Sequence, residues 1–547
     1  MSIQQIFSLC GGVANIARVL LPDDTLIIEV THDVAEPKGF GYIKTMDVQG
    51  ATQYVFSRPS DLTLQDTLAL DRELSELQTR RAQAYQEPVE SQWRPNWHIS
   101  PPVGLLNDPN GFIYHNGQYH LFYQWYPYGC EHKDKHWVLL TSDDLVNWTW
   151  QGVALTPSAW FDSHGVFSGH AISLGDTLYT FYTGNTRIGV QRDRHTTQCV
   201  AIAKGNDTLV KQGPIIEGLP PGVTEHIRDP KVFQRNGLWW MLLGAQTTEL
   251  KGRLAVYTSQ DLKHWDYQGL FGQELGDFGY MWECPDLFEL NGQDFAMFCP
   301  QGIEFESPNH TIGHHNGVAK AQFGEGIELK LSDFQALDYG FDFYAPQTMQ
   351  TPDGRRILCG WMGLPDEVDQ PSSDDGWAHQ LTCFRQLDYQ DGVVRQYPIR
   401  ELERLVDTQQ SILLTEALLD VETQSFDLNL TLEWGQSLNL FEGDGYQLVI
   451  KANAETRQLI LDRSETLNRA HDVIREVDID SDLIELRILA DTSSVEIFIN
   501  QGQYVMTSRV FTSKQSTSMS VLGGDVNACL KILKTPKAPF FDVAEAV

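Results

Sequence analysis

Three acidic side chains stand at the openings of three similar hairpins. Asp108 lies in LLNDPNGFIYHNGQYHLFY, Asp229 in IRDPKVFQRNGLWWMLL and Glu283 in WECPDLFELNGQDFAMF. Each precedes a proline, a short apolar strand, an Asn-Gly turn and a second strand. From acid to turn (Asn116, Asn236 and Asn291) the distance is eight, seven and eight residues, so the acids are expected at one fixed place in a repeat. Repeats set around an axis would bring the three carboxylates together. Converging carboxylates are what cleavage of a glycosidic bond requires: one group delivers a proton while another meets the positive centre. A single Asp-Pro is ordinarily a turn or a cap, but three at matching positions point to a site.

The elements that must position them are strands. Between about Trp97 and Tyr397, favoured two-residue turns recur at Asn116-Gly117, Gly175-Asp176, Asn236-Gly237, Asn291-Gly292 and Asp353-Gly354, spaced 59, 61, 55 and 62 residues apart. TSDDLVNWTWQG (141–152) is echoed by TSQDLKHWDYQG (258–269), about two periods later. Five units of this length predict a five-bladed β-propeller with four strands per blade. PIRELERLV (398–406) reads as a short connecting helix, and the alternating segments after it predict a C-terminal β-sandwich. The expected fold is therefore all-β, with a small N-terminal extension. The expected divisions are 1–87, 88–400 and 401–547. In the first, TLIIEV and FGYIKTMDV are strand candidates, and a helix is expected from Ser60 to about Glu87 on the spacing of Leu64, Leu68, Leu74 and Leu77. QEPVESQWRPNW reads as a linker.

Composition excludes several classes. Seventy-three acidic against 40 basic residues leave a formal charge of −33, which repels nucleic acid and anionic membranes. No run of 18 apolar residues suggests a membrane span. The first residues carry no basic start, so no signal peptide is read and a cytoplasmic location is expected. The eight cysteines contain no CxxC pair, which suits reduced, buried thiols. Fourteen Trp and 19 Tyr offer stacking surface for sugars, or simply fill large cores. No phosphate-cradling glycine loop occurs, so no cofactor is expected. His310, His314 and His315 lack a cysteine or carboxylate at useful spacing and read as a polar loop, not a metal site.

NDPNG (107–111), FSGHA (167–171), RDPKVF (228–233) and ECPDLF (283–288) resemble the signature motifs of family 32 of the glycoside hydrolases, the β-fructofuranosidases. YHLFYQWYPYG (119–129), FDFYAPQT (341–348) and GWMG (360–363) fit as well. The likeness runs in order from about Trp93 to Ser508, and residues 1 to about 85 have no counterpart in it. That family's fold is a five-bladed propeller followed by a β-sandwich. The resemblance implies that Asp108 is the nucleophile, Glu283 the general acid/base and Asp229 the transition-state stabiliser; Arg228, adjacent to Asp229, is expected to keep that acid ionised or to form a structural ion pair. It implies a wall beside the nucleophile from Leu105, Leu106 and Asn107. Fructose contacts are implied from Gln124, Phe167 and Ser168, a further hydroxyl ligand from Asp342, and a leaving-sugar contact from Trp361.

One departure concerns the substrate. Many plain invertases carry tryptophan eight residues after the glutamine matching Gln124, where this chain has His132. Lys133, Lys135 and His136 surround it in EHKDKHW (131–137), a basic cluster on an acidic chain. The cluster either faces a phosphate on the glucosyl 6-position or forms a solvated loop with Glu131 and Asp134. The implied substrates are small sugars: sucrose, sucrose 6-phosphate and raffinose. An exo-fructanase, an inverting propeller glycosidase and a non-catalytic carbohydrate-binding propeller remain as alternatives. Oligomeric state is not legible.

Overall fold

The computed structural model of the chain describes residues 3–12, 15–20, 25–37, 41–48, 51–58, 89–188, 193–205, 207–303, 314–367, 370–467 and 472–536. Apart from a helix at Ile3–Leu9 and short 3-10 turns, these residues form strands and connections. The N-terminal strands Ile16–Leu20, Thr25–Val30, Ala51–Ser57 and Tyr42–Val48 make one sheet in that spatial order. Ile6, Phe7, Val19, Ile28, Tyr54 and Phe56 form its core. The helix expected from Ser60 lies outside the described residues. The stretch read as a linker is, from Val89 onward, docked: Trp93 meets Phe511 edge-on at 5.7 Å, and the Arg94 guanidinium lies 4.4 Å over Trp377.

Five antiparallel sheets follow in chain order. Their first strands are Gly104–His115, Val166–Leu174, Val223–Arg235, Met281–Leu290 and Tyr344–Gln350. Each first strand touches the next, and the fifth touches the first. Trp377–Ala378, late in the chain, pairs in parallel with Gly104–Leu105, so the ring is fastened by a segment from its far end. Asn116, Asn236 and Asn291 have φ of 47, 51 and 52°, and their glycines 87, 78 and 84°, as the hairpin turns read from sequence require. The echoed segments are one structural device used twice. Asp144 and Asp261 each accept two backbone N–H groups. Leu145 and Leu262 follow in left-handed backbone, and Trp148 and Trp265 donate back to their carbonyls.

The predicted connecting helix is a 3-10 helix at Arg400–Leu405. Beyond it, two six-stranded sheets enclose a core that includes Leu428, Leu440, Ile450, Ile488, Ile497 and Met506. The whole is a propeller followed by a β-sandwich. The two are locked by charges taken out of water. Arg385 pairs with Glu496 at 2.5 Å and Asp338 at 3.1 Å, and His98 lies between Asp491 and Glu496 at 2.9 and 3.0 Å. Of the two readings of the tryptophans, core filling holds for Trp125, Trp137, Trp148, Trp282 and Trp377, which are fully buried. All eight cysteines are free.

Candidate active site

The acids are presented by a shared irregularity. Pairing between first and second strands slips by one residue between Leu106 and Pro109, Arg228 and Lys231, Glu283 and Asp286, and Tyr344 and Gln347. Such bulges re-aim side chains, and the proline in each leaves no ladder donor unpaired. Asp229, Cys284 and Ala345, each immediately before its proline, take left-handed backbone with φ of 66, 49 and 46°. Non-glycine residues held there store strain, a common mark of functional positions.

The register corrects one expectation. Asn110, Lys231 and Asp286 pair with Phe122, Leu242 and Met297, each the fifth residue of its returning strand. Counted back from that rung, Asp108 and Asp229 are equivalent, but Glu283 stands one residue earlier. Cys284 occupies the acids' position and Glu283 that of Arg228. The equal count from Asp108 to its turn arises because the first strand carries a second slip, between Asn110 and Ile113, that adds a residue.

The three carboxylates nevertheless meet, and Cys284 links them. It follows Glu283, its backbone N–H donates to Asp229 Oδ2 at 2.8 Å, and its Sγ lies 3.8 Å from Asp108 Oδ2. Asp108 accepts the Ser168 hydroxyl and, at 3.1 Å, the Asn107 amide, which also donates to Gln124. Burial raises the Asp108 carboxyl above its ordinary range, Ser168 opposes this, and the Glu283 charge adds to it. Burial pushes Asp229 up to about 7 against the pull of Arg228.

Arg228 was expected to serve Asp229, but it grips Glu283: Nε and Nη2 donate to Oε1 at 2.8 and 2.5 Å. Tyr344 donates its hydroxyl to Oε2 at 2.6 Å and Gln301 adds a donor. Burial alone would raise Glu283, yet Arg228 and the Tyr344 hydroxyl hold it below its ordinary range. Sequence reasoning missed Tyr344, Gln301 and Cys284. A usable signal existed for Tyr344: Arg228, Glu283 and Tyr344 all stand two residues ahead of a proline.

The remaining candidates divide. Gln124 is buried against Asn107, and Phe167 is half-buried with the Arg194 guanidinium 5.7 Å over its ring. Trp361 packs between Tyr344, His132 and His379 at 6.3, 5.5 and 5.1 Å. Leu105 and Leu106 lead into Asn107 and Asp108 with their side chains buried in hydrophobic clusters. Asp342 is corrected. Its Oδ2 accepts Arg463 at 2.6 Å and the Arg509 N–H at 2.7 Å, so it anchors the sandwich.

The basic cluster splits similarly. Lys133 is exposed and paired with Glu131 at 2.8 Å. Lys135 is buried with Nζ 3.1 Å from His132 Nδ1, and burial lowers it to about 7. His136 is buried beside Trp125 and Tyr128. His314 bonds Asp366, His315 bonds the Ile303 carbonyl, and His310 lies outside the described residues.

The profile described as Glycosyl hydrolases family 32 N-terminal domain matches residues 98–398, and that described as Glycosyl hydrolases family 32 C terminal matches 400–531. The chain belongs to glycoside hydrolase family 32. Among its family 32 relatives is the probable sucrose-6-phosphate hydrolase of Psychromonas ingrahamii, 53% identical over 99% of this chain and 100% of that protein. The N-terminal piece, without a counterpart in the motif comparison, is thus matched there. Among solved structures, sucrose-6-phosphate hydrolase from Lactobacillus gasseri has a TM-score of 0.75 at 31% identity, covering 87% of this chain and 97% of that one. A mutant family 32 β-fructofuranosidase of Bombyx mori in complex with sucrose also reaches 0.75, at 29% identity over 84% and 99% of the two chains. Among the described residues, no helix is long and apolar enough to cross a membrane.

Proposed function

We propose that the chain hydrolyses the terminal β-D-fructofuranosyl bond of sucrose and sucrose 6-phosphate, with retention, releasing fructose. The observation that carries this reading is the meeting of Asp108, Asp229 and Glu283 around Cys284. Asp108 attacks the anomeric carbon, Glu283 hands a proton to the leaving oxygen and later takes one from water, and Asp229 steadies the charged ring. In the free site Arg228 holds Glu283 below its ordinary range while burial raises Asp229, so the proton of the first step belongs to the coupled acids as a set. Ser168, Asn107, Gln124 and Phe167 surround the fructosyl unit, and Trp361 and His132 the leaving sugar. Lys133 and Lys135 are the candidates for the phosphate.

The five sheets with touching first strands support five blades, and the junction between the two profiles supports a division near residue 400. Eight free thiols support a cytoplasmic location. The test is kcat/KM for sucrose, sucrose 6-phosphate, raffinose and inulin, with NMR of the first-formed anomer. Absence of fructose release from every β-fructoside would overturn the reading. Preference for inulin would favour the exo-fructanase alternative.

A further inference from the structure

One rung below the acids, the first strands carry a second polar set that no catalytic role accounts for. Asn110, His170, Lys231 and Asp286 are buried, and Gln347 is half-buried. Together they bridge every junction of the ring. Asn110 Oδ1 accepts the Gly169 N–H at 2.9 Å, joining the first sheet to the second. His170 Nε2 lies 2.7 Å from Lys231 Nζ, joining the second to the third. Lys231 Nζ lies 2.7 Å from Asp286 Oδ1, joining the third to the fourth. Asp286 Oδ2 accepts the Thr348 N–H and hydroxyl at 2.8 and 2.9 Å, joining the fourth to the fifth. Gln347 accepts the Phe112 N–H at 3.4 Å and donates to the Gly169 carbonyl at 2.5 Å, returning to the first and second.

Lys231 is the centre of this clasp. Its ammonium reaches two neighbouring sheets at once, and it lies two residues from Asp229, while Asp286 lies three from Glu283. His170 must be neutral at Nε2 to accept from an ammonium, which burial and the Lys231 charge both favour. The nearby Arg356 turns its guanidinium over the Phe288 ring at 5.6 Å. Asn110 adds a direct hold on the catalytic strand, donating to the Asp108 carbonyl at 2.9 Å.

We propose that Lys231 is a positioning residue for the hydrolysis: clasped between His170 and Asp286, it fixes the spacing of Asp229 and Glu283 on the rung above. This rests on the hydrolase reading given above. A displacement of about 1 Å at a reacting group costs on the order of a hundredfold in rate. Lys231→Met should therefore lower kcat on sucrose about a hundredfold with KM within about threefold, and should displace the alkaline limb of the kcat profile.

The double variant Lys231→Met/Asp286→Asn removes the unpaired buried charge, so it should regain thermal stability without regaining kcat. Wild-type kcat in Lys231→Met, or joint recovery of stability and kcat in the double variant, overturns the proposal. Should the single variant fail to fold, the double variant decides, and its own failure to fold also overturns it by marking the pair as structural. Wild-type protein in the same assay separates the two readings: no fructose release sinks the hydrolase reading, whereas normal release with undisturbed variants sinks the clasp alone.

Discussion

The Arg228 guanidinium holds Oε1 of Glu283 through two donors, at 2.8 and 2.5 Å, although its neighbour in sequence is Asp229. This pairing decides which acid is ionised in the free site. It holds Glu283 below its ordinary range, while burial raises Asp229 to about 7 against the pull of the same guanidinium.

Arg228→Gln should move the alkaline limb of kcat/KM to higher pH. In the wild type that limb should fall near pH 7, where the proton shared with Asp229 is lost. Without Arg228, Glu283 keeps its own proton to higher pH. The lost orientation should lower kcat by about 10²–10³-fold. An unmoved limb in the pH–rate profile would show that Arg228 does not tune the acid.

Asp108→Asn should abolish turnover, by at least about 10⁴-fold, without loss of thermal stability. Burial raises the Asp108 carboxyl, so its charge at neutral pH costs the folded state, and the neutral amide relieves that cost. The acid limb of wild-type kcat/KM should lie above the ordinary Asp value of about 3.9. Ser168→Ala removes a donor that lowers Asp108 and should move this limb higher still. A calorimetric scan and a pH–rate profile check both statements.

His98 makes propeller-to-sandwich docking pH-dependent. Burial would lower its imidazole, but Asp491 and Glu496, one on each ring nitrogen, raise it. A raised folded pKa contributes stability that is complete below the unfolded value of about 6.5 and is lost as pH rises through the folded value. The melting temperature of the wild type should therefore fall across that window, and the slope should flatten in His98→Gln. Arg385→Met leaves Glu496 and Asp338 without their shared cation and should cost about 3–5 kcal/mol in denaturant unfolding.

Lys133→Ala should raise KM for sucrose 6-phosphate several-fold, about 1 kcal/mol for an exposed charge, and leave sucrose unchanged. Steady-state kinetics on both substrates at two salt concentrations measures this. Equal effects on the two sugars would remove Lys133 from phosphate recognition.

Much of this molecule was readable without coordinates. The Asn-Gly turns, the period near sixty residues and the two echoed turn segments rest on local backbone chemistry, which neighbouring residues carry. The acids were readable as residue types at the openings of hairpins. Their exact relation was not, because bulges shift register and depend on pairing between strands. An added slip in the first strand made Asp108 and Glu283 count alike from their turns although they stand at different positions.

Asp342 shows the same limit differently. Its motif resembles a sugar-binding stretch, yet Arg463 and Arg509, more than a hundred residues away, claim its carboxylate. By itself the sequence determined the repeating hairpins, the family and the identity of three convergent acids. Tertiary structure alone decided that Arg228 serves Glu283, that Cys284 joins the three acids, that His136 is buried and that Lys231 bridges neighbouring sheets. The physical reason is that a side chain's charge partner lies across a sheet junction, where distance in space is unrelated to distance along the chain.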